Sequence, residues 1–132
     1  MPSLFSFPWS DVRLTVWAIL EFALYDLLVR VGGFRCVHAR LRALLPKRQG
    51  TVSAQRVSTA VSVACSFYWH PVMCLQRAVA TTRILRKLGV PAELVIGCRM
   101  TPFFSHAWVE VHGKVINDST NYPRRLLVLE RV

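Results

Sequence analysis

Cys74, His106 and Asp118 are the residues whose types and spacing could do covalent chemistry. Attack on an amide carbonyl needs a thiolate and a nearby base. Cys74 opens the run "CLQRAVATTRILRKLG", residues 74–89. At the start of a helix, unpaired backbone N–H groups and the positive dipole end favour an anion. A cysteine taken singly is usually a small buried hydrophobe. Cys36, Cys65 and Cys98 lack the helix-start placement that lifts Cys74 above that reading.

The base and its orienting acid lie in "SHAWVEVHGKVINDST", residues 105–120. Side chains alternate along a strand, so His106, Trp108 and Glu110 share one face, and Ala107 and Val109 take the other. The turn decides whether Asp118 joins His106. A two-residue loop, His112-Gly113, sets His106 opposite Ser119. A three-residue loop, Val111 to Gly113, with Gly113 in a left-handed bulge, sets His106 opposite Asp118. The bulged form is expected here. Directly opposed Cβ atoms then lie about 4.5–5.5 Å apart, and a carboxylate there fixes the imidazole tautomer. His112 falls at the turn, and His38 has no nearby carboxylate in sequence. His70, just ahead of the helix, competes as base. The plainer reading of His106 is a polar residue on a solvated strand face, against which Trp108 on the same face suggests partial enclosure.

The elements that must position these residues can be read from period. Residues 12–31, "VRLTVWAILEFALYDLLVRV", are a long apolar helical pattern ending at Gly32-Gly33. Arg13, Glu21, Asp26 and Arg30 interrupt it, and intramembrane charges are costly. A helix packed on the core or a partner is favoured, with peripheral membrane contact still open. Residues 34–49 read as a short basic helix stopped by Pro46, and residues 52–68 as a helix capped by Thr51 or Ser53. The helix of Cys74 has Pro71 in its first turn and ends at Gly89 and Pro91. One face is Leu75, Ala78, Val79, Thr82 and Leu85. Arg77, Arg83, Arg86 and Lys87 supply polar coverage. The period then changes, and 93–100, 106–111 and 114–119 read as three strands. Helices followed by a small antiparallel sheet mean an α+β fold.

The 132 residues suit one domain, helical over 1–90 and sheet over 91–132. With 53% hydrophobic and 18% charged residues, disorder is excluded. The balance of 17 Lys+Arg against 7 Asp+Glu gives +10, which draws the chain to something acidic. No aromatic residues interleave the basic segment as a base-stacking platform requires, so nucleic acid is not expected. Four cysteines without C-x-x-C spacing, and no signal segment, suggest free thiols in the cytoplasm. The Cys and His spacings fit no compact zinc motif, so neither a metal nor a cofactor is expected.

At "CLQRAVATTRILRKLGVPAELVIGCRMTPFFSHAWVEVHGKVINDS" the chain resembles the transglutaminase-like cysteine proteases of lasso-peptide biosynthesis, in the form where the leader peptidase is a separate chain. Cys-Leu at 74–75, "LVIGC", "HAWVE" and Asn117-Asp118 carry the likeness, over about residues 70–120. The resemblance implies a papain-like α+β fold and a Cys74, His106, Asp118 triad. It implies removal of the leader from a ribosomally made precursor peptide, whose core a separate ATP-using cyclase closes into a macrolactam. It also implies a separate winged-helix protein for leader recognition, since no spare segment here suits that domain. The backbone N–H of Cys74 is the expected oxyanion donor. A second donor is open: the upstream stretch "FYWHPVM" has no Gln or Asn, leaving Trp69, His70 or another backbone amide. Trp69 and Trp108 are candidate substrate contacts. Two other readings stand beside this one: an acyl transferase using the same triad, and a non-catalytic basic adaptor for acidic peptides.

Overall fold

A computed structural model describes residues 9–45, 53–100, 102–116 and 126–132. Three helices come first: α1 (Trp9–Ala43), α2 (Ala54–Phe67) and α3 (Cys74–Lys87). Four strands follow: β1 (Ala92–Met100), β2 (Phe103–Val111), β3 (Lys114–Val115) and β4 (Leu127–Arg131). They form one antiparallel sheet in the order β3-β2-β1-β4. The fold is α+β, as expected.

α3 is the centre of the helical layer, buried from Ala78 through Thr82 and again from Ile84 to Arg86. Its apolar residues meet Phe22 and Leu41 of α1, Val57 and Val61 of α2, and Leu94, Ala107 and Val109 of the sheet. Its end is a Schellman closure. Val90 N–H reaches Leu85 O at 2.8 Å, and Gly89 N–H reaches Arg86 O at 3.1 Å. Gly89 holds φ +84, where a side chain would be strained.

Arg86 differs from expectation. It is buried, and its guanidinium donates to the carbonyls of Ala92 (2.9 Å), Leu41 (2.7 Å) and Val132 (2.6 Å). A five-donor fork can tie helix ends and sheet edge together where an apolar residue would leave those carbonyls unmet. Arg86 is therefore structural and gives no polar coverage.

α1 breaks where expected. Gly33 (φ 67, ψ −171) is non-helical, so the range holds two helices that meet at a kink, the second resuming at once. At the other end of the layer, α3 begins three residues after Pro71, which lies outside it.

The sheet has two covered faces. Leu94, Ala107 and Val109 pack on the helices. Val95, Trp108, Val115 and Leu126 form a second, smaller cluster on the other side, with Val128 against it. β4, absent from the sequence reading, pairs with β1.

The β2–β3 turn corrects the bulged form. Val111 pairs with Lys114 and Glu110 with Val115, leaving a two-residue loop of His112 (φ 51) and Gly113 (φ 76). Two successive positive φ values make a type I′ turn, whose twist matches that of the strands. Histidine is among the non-glycine residues enriched in the left-handed region, so His112 can fill the first turn position.

Candidate active site

Cys74 is the first residue of α3. Met73, extended at φ −80 and ψ 163, leads the chain in, and its carbonyl accepts from Arg77 N–H at 3.0 Å. First-turn N–H groups have no partner within their own helix, so the thiol stands where negative charge is favoured. Its side chain is partly buried against the helical core. Tyr25 of α1 lies within electrostatic reach. Its phenol is pushed up first by burial, then by the charges of Asp26 and Cys74.

His106 sits on β2 between two aromatic rings. Its ring centroid is 6.1 Å from Phe104 and 6.3 Å from Trp108, with interplanar angles of 18° and 21°. The spacing of two residues puts all three on one face of β2, opposite the helix-packed Ala107 and Val109. Trp108 is 0% exposed, and its indole N–H donates to Glu110 Oε2 at 2.8 Å. Arg131 approaches the same oxygen at 3.3 Å. With no exposed surface, Trp108 is a packing residue beside His106 and offers substrate no face, which corrects that expectation. Trp69 is 73% exposed and can offer one.

Gly97 lies across from His106 in the β1–β2 register. A Cβ there would come within 2.8 Å of the Trp108 ring and 3.0 Å of Leu126 Cβ. Glycine is required by that close approach. The sequence signal was the glycine inside "LVIGC", since an isolated glycine in a strand often marks a neighbour's close approach.

Asp118 lies outside the described residues. The register argument that set it opposite His106 does not hold, because the two-residue turn shifts every pair by one. Among the described residues, no hydrogen bond or ring contact joins His106 to Cys74.

A second histidine–carboxylate pair does form. His70 Nε2 lies 2.8 Å from Asp26 Oδ2, and its Nδ1 lies 2.9 Å from the Pro71 carbonyl. Neutral imidazole has one donor and one acceptor; acceptors at both nitrogens select the doubly protonated ring. The hydrogen bond to Asp26, then that to Pro71, pushes the His70 pKa up. A ring held this way has no lone pair for a thiol proton, so His70 is a poor base in this arrangement.

Asp26 is the hub of the cluster. It also accepts from the Tyr68 hydroxyl (2.5 Å) and the Gln76 amide (3.1 Å), and Gln76 donates in turn to the Phe22 carbonyl (3.1 Å). Burial works against the Asp26 charge. The bonds from Tyr68 and His70, the His70 charge and the Gln76 bond outweigh it and hold the carboxyl below its ordinary range. The cluster ties α1 to the entry of α3, two residues from Cys74. In the sequence Asp26 was legible only as an interruption of an apolar run.

Residues 21–131 match the transglutaminase-like superfamily. The chain belongs to that superfamily. One curated relative is the Microcin J25-processing protein McjB of Escherichia coli, 48% identical over 59 residues. That segment is 45% of this chain and 28% of the relative's length, so the chain matches well under a third of McjB. No solved structure matches the chain. For a transglutaminase-like chain, a cysteine at a helix start beside an antiparallel sheet bearing "HAWVE" is the arrangement the sequence led us to expect.

Proposed function

We propose that this transglutaminase-like chain is a cysteine endopeptidase that removes the leader from a ribosomally made lasso-peptide precursor. The observation that carries the reading is the 48% identity to a protein named for peptide processing. Cys74 at the start of α3 and the motif around His106 support it. Cys74 Sγ attacks the carbonyl carbon at the leader–core junction, and His106 takes the thiol proton. The tetrahedral intermediate collapses, the C–N bond breaks, and His106 returns the proton to the leaving amine. Water then hydrolyses the thioester. Asp118 is assigned to orient His106 by the resemblance at Asn117-Asp118 alone, since the turn register no longer sets the two opposite. The Cys74 N–H donates to the oxyanion, a contribution of about 3 kcal/mol where such donors have been removed. Trp69 contacts the substrate.

The reaction acts with a separate winged-helix recognition protein and precedes macrolactam closure by an ATP-dependent cyclase. The +10 charge assists capture of acidic peptide. Incubating the chain with a precursor peptide and a recognition partner, read by mass spectrometry, tests this. A free leader fragment is expected, absent in Cys74→Ala. Cleavage that persists in Cys74→Ala contradicts the mechanism, and an amine-linked leader in place of a free acid assigns the triad to acyl transfer.

A further inference from the structure

α1 buries one side in the helical layer and leaves the other in water. Val12, Val16, Leu20, Leu27 and Val31 are all exposed, and at i, i+4 and i+7 spacings they fall on one side of the helix. The stripe runs about 28 Å, at 1.5 Å per residue. Its exposed charges are one-signed. Arg13 and Arg30 are exposed near its two ends. Each acid of α1 is already paired: Asp11 with Arg56, Glu21 buried with Arg83, and Asp26, at the edge of the stripe, with His70.

The surface continues past the helix. Ala23, Asp26, Leu27 and Arg30 line a shallow cavity of about 240 Å³ with Tyr68 and Trp69, which joins the exposed indole to the stripe; the Asp26 carboxylate there is taken up by Tyr68, His70 and Gln76. Beyond the Gly33 bend, Arg35 and Arg40 are exposed, and neither has a carboxylate partner among the described residues.

We propose that this face of α1 docks in the plane of an anionic lipid bilayer. No described helix is long and apolar enough to cross a membrane. An apolar stripe with exposed cations at its borders and its acids already paired instead suits acyl chains beneath and phosphates beside it. A partner helix would satisfy the apolar side alike but would need its own acidic border, which a second copy of this stripe lacks. The docking is independent of the peptidase reading.

Co-sedimentation with vesicles tests it. Vesicles of phosphatidylcholine and phosphatidylglycerol at about three to one should carry the protein down, and phosphatidylcholine alone should do so at least about tenfold less well. Salt should weaken the binding. The triple variant Val16→Glu, Leu20→Glu, Leu27→Glu should lose about tenfold or more of the affinity. Those positions are 51%, 62% and 57% exposed, so the fold should hold, which a thermal melt checks. If it does not, Val31→Glu, at 78% exposure, is the single-site version. Absence of binding to the anionic vesicles overturns the proposal, as does a folded variant that binds unchanged. A vesicle-free dimer abolished by the same variant also overturns it and assigns the face to a second copy.

Discussion

His70 and His106 are the two histidines the sequence offers as base for Cys74, and they sit in opposite chemical settings. His70 is bracketed by a carboxylate and a carbonyl, both its nitrogens engaged, in a cluster that ties α1 to α3. His106 is sandwiched between aromatic rings on a strand whose far side packs on that helix. Proximity to an acid is a poor guide to a base. Asp26 makes His70 a cation and a clamp. A thiol needs a ring with a lone pair to offer, which this clamp denies His70, and the resemblance at "HAWVE" makes His106 the proposed base.

The largest effect should come from removing one histidine at a time. His106→Ala is expected to lower the peptidase rate by about a thousandfold, in the range of a lost general base. His70→Gln should leave it within about threefold once protein stability is matched. Comparable losses in both would break the distinction.

Gly97→Ala sharpens the His106 side. The added Cβ meets the Trp108 ring, which must shift under His106. Overpacking of this kind costs about 1–3 kcal/mol. Chemical denaturation should show that loss, and the rate should fall with it even at temperatures where the variant is fully folded.

The smallest effect belongs to the His70 side and reads out in pH. The Asp26 pKa is lowered, so its contribution is present above the ordinary carboxylate range and lost as pH falls through the lowered value. The His70 pKa is raised, so its contribution is present below the ordinary value of about 6.5 and lost as pH rises through the raised one. Asp26→Asn should therefore melt furthest below wild type near about pH 5–6, with the gap closing on both sides. A gap independent of pH would deny the ion pair its role.

The two regions were not equally legible in sequence. α3 was, because a 3.6-residue period, a glycine and a proline mark its end, and Cys74 falls at its start. The α+β order followed from the change of period after Gly89. The β2–β3 turn was not legible, because a type I′ turn usually announces itself as Asn-Gly or Asp-Gly and here begins with histidine. β4 pairs with β1 across a long stretch of chain, so no local pattern called for it. Arg86 was read as solvent coverage because a long cation normally is. Only the fold brings four backbone carbonyls around it. The Asp26 cluster was hidden for the same reason: its members come from α1, the 68–70 segment and α3, and nothing local links them.

The central claim is that His106, and not His70, serves Cys74. The most direct test is the alkylation rate of Cys74 by iodoacetamide, with Cys36, Cys65 and Cys98 replaced by serine or alanine so that one thiol is read. The account predicts a marked slowing in His106→Ala and none in His70→Gln. A slowing in His70→Gln with His106→Ala unchanged would contradict it and move the base to the helical side of the molecule.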